Sequence, residues 1–559
     1  MKRSIIRLIT LLLSVFLLTS FFGGCGQNSQ ESDKGAALSQ SVSSSASSIS
    51  TKENKNGLPI VDKPLTLTYY VANIARGQVK DYNEIFAYKE LEKRTGIHIE
   101  FQHPVANTVQ ERVEQFNLMM ASGEYPDIIN IRWSEIKQTP DQLIDDGILV
   151  GLNDLIDQYA PNYKKILDSN AEIRRGAVTD QGRHFAFKNT YNHESTTVWF
   201  GPIIRQDWLD NLGMKAPTTI DEWYTMLKAF KEKDPNGNKK ADEIPLLIGC
   251  FGDPLGSFRV GRVFIGAWGI GMEYYQENGK VKYGPLQPEF KDFIKTMSTW
   301  YNEDLIDRDY AAMKTELLDA KVTNNILGSL TAGASGAIGK YTNLMKDKDP
   351  KFTLAGAPYP VLKAGDKPQL GQRDSMVLNY GAAITSKCKN VEEAVKWLDY
   401  AYGDEGHILM NFGVEGITFN MVDGYPKYSD LIMKPQGISV DENQVKYCPT
   451  NMGGPYTLDY RSYDQLISLQ VQKDAVKIWA NTDISKLIPE SVVIPPEELA
   501  KNATRETDIK TYMDEMINKF IMGAEPIDNY DKFVKQLESM GIDLLIAAKQ
   551  KALDNYYKR

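Results

Sequence analysis

From residue 58 onward, the apolar positions of the chain switch repeatedly between two spacings. Residues 65–71 alternate apolar and polar side chains with a period of two, which predicts a strand. Residues 81–95 carry apolar side chains at helical spacing, which predicts a helix. The strand pattern returns over 97–101 and 125–131, and the helical pattern returns over 109–120. Strands alternating with helices within so short a stretch predict parallel βαβ units with right-handed crossovers.

In open sheets of this kind, ligands bind outside the carboxyl ends of the strands. The candidate ligand-binding residues at or next to the predicted strand ends are Tyr70, Asn73, Asp127 and Trp133. We expect a binding site at this edge of the sheet.

The N-terminus has the pattern of an export signal. Lys2, Arg3 and Arg7 form a basic start, and residues 5–22 are otherwise apolar apart from Ser and Thr, ending in Gly23-Gly24-Cys25. This ending resembles the lipobox of bacterial lipoproteins, although Phe22 stands where that family most often has Leu. The resemblance implies that residues 1–24 are removed and that Cys25 is acylated. A plain signal peptide with an incidental cysteine and an uncleaved anchor are the alternatives.

The segment after Cys25 is poor in large apolar residues. Residues 25–57 are rich in Ser, Gln, Ala, Lys and Asn. Such a composition cannot bury enough surface to offset the entropy of ordering, so the segment is predicted to be a disordered, lipidated tether. Its expected reach is about 30 Å. Together, the lipobox and the tether predict a globular body that a lipid holds near the membrane.

Composition narrows the class of protein. The 559 residues are 42% hydrophobic and 25% charged, as in an ordinary globular protein, and the net charge of −9 argues against nucleic-acid binding. Four cysteines that lie far apart exclude a disulfide scaffold and a CxxC zinc site, and none of the five histidines forms HExxH. We expect no structural disulfide among Cys250, Cys388 and Cys448.

Four segments, taken in order, resemble the extracellular solute-binding proteins of ABC sugar importers. Residues 118–129 resemble that family's ASG-x-x-PD segment, and residues 204–224 resemble its second hallmark. Residues 402–419 resemble the YG-x-EG block near the hinge-side helices. Residues 234–243 resemble the calcium loop of long members such as alginate-oligosaccharide-binding proteins.

The resemblance implies an α/β, two-lobed, periplasmic-binding-protein-like fold of type II. Each lobe is expected to hold a mainly parallel sheet flanked by helices, with helical C-terminal additions. Lobe 1 is predicted to comprise residues 58–185 plus about 345–388. Lobe 2 is predicted to comprise about 186–344 plus 389–559, including the calcium loop.

The calcium loop is predicted to supply oxygen ligands at alternating positions. With Asp234 as position 1 of an EF-hand, ligands fall at positions 3, 5, 7 and 9, but Lys239 stands at position 6 instead of Gly and Pro245 at position 12 instead of Glu. The family's loop implies that Glu243 supplies the missing carboxylate. The predicted ligands of a structural calcium ion are Asp234, Asn236, Asn238, the Lys240 carbonyl, Asp242 and Glu243. A surface turn rich in Asp and Asn, without a metal, is the alternative.

Aromatic and cationic side chains are the candidates for contact with a sugar. Trp133, Trp199 and Trp268 lie near predicted strand ends or glycine-rich turns, where an exposed ring can stack on a sugar face. A core position is the alternative for each, and we expect two of the three to face the cleft. Arg205 and Arg373 are candidate planar donors. Glu415 is either a ligand contact or a buried carboxylate bonded to backbone amides.

No catalytic residues are predicted, since no GxSxG, GxGxxG or P-loop motif stands in the sequence. The lipobox and the resemblance to solute-binding proteins imply a monomeric, lipid-anchored protein on the outer face of the cell membrane that is not an enzyme. It would capture an oligosaccharide between two lobes and deliver it to an ABC permease by hinge closure. A surface-anchored glycoside hydrolase or lyase is the main alternative, and a peptide or lipid-metabolite receptor is a further one.

Overall fold

The strand–helix alternation predicted for the start of the body is present in the computed structural model. The structure describes residues 57–72, 79–106, 108–312, 314–436, 438, 440–449 and 453–559, all of which belong to one compact unit. The predicted signal peptide, the predicted acylation site Cys25 and nearly all of the predicted tether lie outside these described residues, and so does Asn73.

The described residues form strands that are numbered here in chain order. They are β1 (Leu65–Val71), β2 (Ile97–Gln102), β3 (Ile128–Arg132), β4 (Phe187–Tyr191), β5 (Phe200–Arg205), β6 (Tyr274–Glu277), β7 (Lys280–Tyr283), β8 (Ser329–Gly333), β9 (Leu354–Gly356), β10 (Val377–Ile384), β11 (Phe419–Val422), β12 (Tyr425–Tyr428) and β13 (Thr457–Leu458).

The α-helices are numbered in the same way. They are α1 (Phe86–Thr95), α2 (Val109–Ser122), α3 (Pro140–Asp145), α4 (Asn153–Tyr159), α5 (Pro161–Ser169), α6 (Ala171–Ala177), α7 (Gln206–Leu212), α8 (Ile220–Glu232), α9 (Gly256–Arg259), α10 (Pro288–Asn302), α11 (Thr315–Thr323), α12 (Lys340–Met345), α13 (Val391–Tyr400), α14 (Asp404–Phe412), α15 (Asp430–Met433), α16 (Val440–Gln444), α17 (Tyr460–Leu466), α18 (Gln470–Ala480), α19 (Pro496–Ile521), α20 (Tyr530–Ser539) and α21 (Ile542–Tyr556).

The first sheet has the strand order β13-β4-β10-β3-β1-β2. Strands β2, β1 and β3 are parallel, as the βαβ pattern predicts, with Leu65 opposite Ile97 and Tyr69 opposite Ile128. Strand β10 lies between β3 and β4 and runs antiparallel to both. Buried apolar residues cover both faces of this sheet, one face packing Leu67 and Ile128 and the other packing Tyr70 and Ile129.

The second sheet has the order β8-β5-β9. Both neighbours of β5 are antiparallel to it, with Ile203 opposite Leu330 and Gly356, whereas a mainly parallel sheet was expected in each lobe. Parallel bridges to residues 244–247 extend this sheet, for example between Leu247 and Leu330. β5 leads directly into α7, and both of its sheet partners come from later in the chain.

A separate core surrounds the second sheet. It contains Trp208, Trp223, Trp300 and Trp479, all at most 2% exposed, together with apolar residues of helices α19 to α21. The indole of Trp479 lies so close to Gly201 that a Cβ at this position would stand 2.5 Å from the ring. The predicted helical C-terminal additions are therefore part of the second core.

The structure corrects two of the predicted lobe boundaries. Strand β9, which was assigned to lobe 1, pairs with β5 in the second sheet. Helices α13 and α14, which were assigned to lobe 2, pack against the first sheet through Trp397 and Leu409. From here on, lobe 1 means the first sheet with the elements packed on it, and lobe 2 means the second sheet with the elements packed on it. The chain crosses between the two lobes near residues 192–199, 357–376 and 459–467.

Two further properties bear on the sequence predictions. Cys250, Cys388 and Cys448 have free thiols.

Within the described part of the chain, no helix has both the length and the apolar character needed to cross a membrane.

Candidate functional site

The carboxyl edge of the first sheet carries two of the predicted ligand-binding residues. Tyr70, on β1, is 6% exposed and borders a small space together with Arg132 and Tyr380. Trp133 follows β3 and is 5% exposed. Its indole N–H donates to the carbonyl oxygen of Gly381 at 2.8 Å, and its ring packs edge-on against Phe185. Trp133 therefore stabilises the core and is not an exposed stacking platform.

Asp127 and Arg205 have structural roles instead of the predicted contacts with ligand. Asp127 precedes β3, at the edge of the sheet opposite to the carboxyl ends, and its Oδ2 accepts from the backbone and side chain of Thr68, both at 2.8 Å. Arg205 is 1% exposed and forms an ion pair with Asp207 at 2.6 Å. Its guanidinium also lies over the ring of Trp208.

Three other predicted residues lie apart from one another. Glu415 is exposed, which excludes the buried role, and its carboxylate accepts from the backbone N–H of Met421 at 3.2 Å. Trp268 is half-buried against the second core, where it packs edge-on to Phe293. Arg373 pairs with Glu194 between the two lobes.

Trp199 lies in a polar cluster at a crossing between the lobes. Its indole N–H donates to Asp374 Oδ2 at 3.0 Å, and the hydroxyl of Tyr191 donates to the same oxygen at 3.1 Å. The side chain of Gln372 accepts from the backbone N–H of Trp199 at 3.0 Å and donates to Asp374 Oδ1 at 2.9 Å. These four residues are called the hinge cluster, because they join the end of β4 to the start of β5.

Burial dominates the electrostatics of the hinge cluster. Burial raises the pKa of Asp374, and the charge of Glu490 also raises it, while hydrogen bonds from Trp199, Tyr191 and Gln372 lower it; together these effects bring the pKa to about 6. The carboxylate that ties the two lobes together therefore changes charge in a mildly acidic range.

An exposed aromatic ring lies beside Trp199. Phe251 is 68% exposed, and its ring centroid lies 5.3 Å from that of Phe200 and 6.3 Å from that of Trp199. Phe251 has a φ of 52°, a left-handed conformation that is uncommon for a large side chain. An exposed ring held in a strained turn beside a half-buried indole is suited to stack on an apolar ligand face.

The two lobes are joined through Glu490. Its carboxylate pairs with Arg132 at the end of β3, its backbone N–H donates to Ser375 Oγ at 3.1 Å, and its carbonyl oxygen accepts from Asn379 Nδ2 at 3.0 Å. At the end of the chain, Arg559 pairs with Asp180 at 2.6 Å. Residues that follow helix α18 therefore reach back across to lobe 1.

A cavity of about 390 Å³ lies between these contacts and is called the interlobe cavity. Residues from both lobes line it, including Trp133, Lys137, Asp141, Asp145, Asp180, Phe185, Lys188, Asn379, Ser491, Glu497, Lys551, Asn555 and Arg559. Its volume falls in the range of about 300–1,000 Å³ that is common for small-molecule sites.

Sequence reasoning missed Lys188, Phe251, Asp374 and Glu490. A signal for Lys188 exists, since it interrupts the apolar run of residues 185–187 within a strand whose residues are all buried. The other three owe their positions to tertiary contacts between distant segments, and no local pattern marks them.

The predicted calcium loop follows helix α8 and folds back on itself. Asn238 donates through Nδ2 to Asp242 Oδ1 at 3.0 Å, and the backbone N–H of Lys239 donates to Asp234 Oδ2 at 3.0 Å. Lys239 has a φ of 63°, as expected where an EF-hand has Gly. The predicted ligand residues thus cluster around Asp234 and Asp242.

Several oxygens of this loop are buried without a hydrogen-bond partner among the described residues. They are Asp234 Oδ1, both carboxylate oxygens of Glu243 and Oδ1 of the neighbouring Asn325. Burial raises the pKa of Glu243, and the charges of Asp242 and Asp234 raise it further. No group of three or more His, Cys, Asp or Glu side chains in the described chain is arranged to hold a metal. Calcium also takes amide and carbonyl oxygens, so the orphaned oxygens fit it.

Two α/β lobes joined by three crossings, with a cavity between them, define the architecture of a solute-binding protein. The sequence model of the family described as "Bacterial extracellular solute-binding protein" matches residues 77–408. The chain belongs to this family.

Individual relatives are similar over most of the chain. It is 26% identical over 517 residues to the fructooligosaccharide ABC transporter substrate-binding protein FusA of Streptococcus pneumoniae serotype 4, covering 85% of this chain and 88% of FusA. It is 22% identical to the polygalacturonan/rhamnogalacturonan-binding protein YtcQ of Bacillus subtilis, covering 81% and 85%. The crystal structure of the alginate-binding protein AlgQ2 without calcium ion matches with a TM-score of 0.70 at 28% identity, covering 89% of this chain and 99% of AlgQ2.

Proposed function

We propose that the protein captures an oligosaccharide between its lobes and delivers it to the permease of an ABC importer. The observation that carries this proposal is the pairing of the exposed Phe251 ring with Trp199 at the junction of the lobes. Sugars present apolar C–H faces to aromatic rings, and such a platform at a hinge allows one ligand to contact both lobes. FusA, YtcQ and AlgQ2 are each named for binding a glycan.

The proposed mechanism is closure around the ligand. An oligosaccharide that contacts both lobes binds the closed state more tightly than the open one, and so shifts the population toward closure. The polar contacts of Glu490 and Arg132 and those of the hinge cluster are the groups that rearrange. The permease would recognise the closed form.

We further propose a lipid anchor on Cys25 and a structural calcium ion in the 234–243 loop. The small residues before Cys25 and the similarity of 27% over 340 residues to lipoprotein LipO of Bacillus subtilis support the anchor. The orphaned oxygens of Asp234 and Glu243 support the metal site. The calcium would be held by Asp234, Asn236, Asn238, the Lys240 carbonyl, Asp242 and Glu243, where its charge would offset three neighbouring carboxylates.

The binding proposal is tested by titration calorimetry against a panel of fructo-oligosaccharides, oligogalacturonides and alginate oligosaccharides. At least one is expected to bind with one-to-one stoichiometry and to be recovered unchanged, while solution X-ray scattering shows a smaller radius of gyration. Phe251→Ala is expected to weaken binding by about 1–3 kcal/mol, the scale of stacking on an aromatic ring. The melting temperature should barely change, because the ring is exposed.

Leu317→Ala is the matched control, since Leu317 is an exposed apolar residue of α11 in the same lobe. It should leave binding unchanged. Cleavage of the bound oligosaccharide would favour the hydrolase or lyase alternative. Equal affinities for the parent and Phe251→Ala proteins would remove Phe251 from the site.

A further inference from the structure

Lys188 is a buried cation at the wall of the interlobe cavity. It lies on β4 and is 2% exposed. Its ammonium group lies over the ring of Phe185, 4.3 Å from the centroid. No hydrogen bond or ion pair joins Nζ to another described residue, although the backbone of Lys188 bonds to the hydroxyls of Tyr163 and Tyr402. Burial and the charge of Arg559 lower the pKa of Lys188, while the charge of Glu490 raises it; together they bring the pKa to about 7.

A buried ammonium group without a hydrogen-bonding partner is expensive for the folded state. An apolar side chain of similar length at this position would pack against Phe185 without that cost. The presence of a lysine at position 188 is therefore best explained by a contact between its ammonium group and a ligand that enters the interlobe cavity.

The other charges of the cavity wall do not neutralise Lys188. Asp141 and Asp145 both accept from Arg183, at 2.7 Å each. Asp180 pairs with Arg559, and Glu497 pairs with Lys551. The acidic groups lining the cavity are thus engaged by other cations, and Lys188 is left without a carboxylate.

Resting on the proposed function, we propose that the interlobe cavity takes an acidic sugar of the bound oligosaccharide, a uronic acid whose carboxylate accepts a hydrogen bond from Lys188 Nζ. The pair would be shielded from water and held beside Phe185. Such charge-assisted hydrogen bonds are short and strong, which makes the carboxylate a specificity element. The stacking platform at Phe251 and Trp199 would hold the apolar faces of the chain, and Lys188 would select its charge.

The test compares trigalacturonic acid with its carboxyl-reduced trimer by titration calorimetry, using the full-length protein. The acidic trimer is expected to bind at least tenfold more tightly. Lys188→Met should weaken binding of the acidic trimer by about ten- to a hundredfold, as for loss of a hydrogen bond to a charged group, and leave the reduced trimer unaffected. The melting temperature of Lys188→Met should not fall, because Met can pack against Phe185 in place of the ammonium group and no carboxylate loses a partner.

Lys549→Met is the control variant. Lys549 is a half-buried lysine whose pKa is lowered to about 8, but its ammonium group donates to the carbonyl oxygen of Val492 at 2.7 Å, and it does not line the cavity. It should leave the preference for the acidic trimer unchanged. Lys188→Gln, which keeps a polar side chain without the charge, replaces Lys188→Met if that variant does not fold, and the same loss is expected.

Two further arms separate the possible outcomes. A sulfated oligosaccharide without uronic acids that binds through Lys188, while uronic-acid trimers do not, would overturn the assignment of a carboxylate. Fructo-oligosaccharides that bind as tightly as any acidic glycan, with no effect of Lys188→Met, would overturn the acidic-sugar proposal and leave the proposed function standing. Failure of every glycan to bind would overturn the proposed function itself.

Discussion

At the scale of single residues, Asp374 links the chemistry of the hinge to pH. Its carboxylate accepts from Trp199 of lobe 2 and from Tyr191 of lobe 1, and its pKa is raised to about 6. In an unfolded chain the pKa of Asp is about 3.9. Between these two values the folded protein binds more protons than the unfolded chain, so the free energy of unfolding falls as pH rises.

The first prediction concerns this pH dependence. As pH rises from 4 to 6, the titration of Asp374 should lower the free energy of unfolding by up to about 1.4 kcal/mol per pH unit. Above pH 6 its contribution should no longer change. Asp374→Asn removes the titrating group, so its free energy of unfolding relative to the parent should increase across this window. Urea denaturation of both proteins at pH 4.5 and pH 7.5 measures the difference.

The exposed Asp366 provides the comparison, because Asp366→Asn removes the same charge from the surface. This variant should follow the parent at both pH values. The same dependence on pH in Asp374→Asn as in the parent would show that Asp374 is not the responsible group.

The candidate site could be predicted from the sequence only in part. The sequence places Trp199 next to a predicted strand end, where a ring can be exposed, and this signal is local; its role in binding stays a prediction. Arg205 is the type of residue that contacts ligands, but it is buried, pairs with Asp207 two residues later and lies over the Trp208 ring. Whether a charged residue is free for a ligand depends on tertiary partners, which spacing along the chain does not reveal.

At the scale of elements, the loop after α8 combines three nearby carboxylates with strained backbone. Asp234 and Lys239 both have positive φ values, of 45° and 63°. The carboxylate oxygens of Glu243 are buried without a hydrogen-bond partner in the described chain. Local strain and unpaired buried charge both destabilise the folded protein, and a bound cation would offset them.

The corresponding prediction is that calcium stabilises the purified body. A calcium concentration a hundredfold above the dissociation constant should add about 2.7 kcal/mol to the free energy of unfolding. We expect a dissociation constant of about 10⁻⁵ to 10⁻³ M, because only three carboxylates contribute. Differential scanning fluorimetry in millimolar calcium and in excess chelator measures the shift in melting temperature.

Glu243→Gln should abolish most of this shift, whereas Glu232→Gln, at the exposed end of α8, should leave it intact. An identical melting temperature in calcium and chelator for the parent protein would mean that the loop is a surface turn without a metal.

At the scale of the whole molecule, the strand and helix spacings of apolar residues predicted the first βαβ units. The four segments that resemble solute-binding proteins implied the two lobes. The lobe boundaries were predicted less well. Strand β9 is only three residues long, and its pairing with β5 joins residues about 150 positions apart. No periodicity in so short a segment can show which sheet it joins. Long-range pairing therefore sets the limit of what the sequence predicts.

The proposed anchor also belongs to this scale, since it determines where the molecule is held. Cys25→Ser should release the protein into the medium or leave the leader uncleaved, and should prevent labelling by a fatty-acid probe. Two acyl chains provide the stable attachment that one chain does not. Membrane fractionation and in-gel probe detection measure both effects, with Cys250→Ser as the cysteine control. Equal labelling of Cys25→Ser and the parent would reject acylation at this residue.

The position of β10 in the first sheet has a consequence for how the chain acquires its structure. β10 separates β3 from β4, yet it is encoded nearly 190 residues after β4 and follows the three strands of the second sheet. A growing or refolding chain must therefore keep a gap open in one sheet while a different core forms. Contacts between segments so far apart in sequence slow folding, because the loop must close before the contacts stabilise it. We expect lobe 2 to become protected from hydrogen exchange before the middle of lobe 1 does.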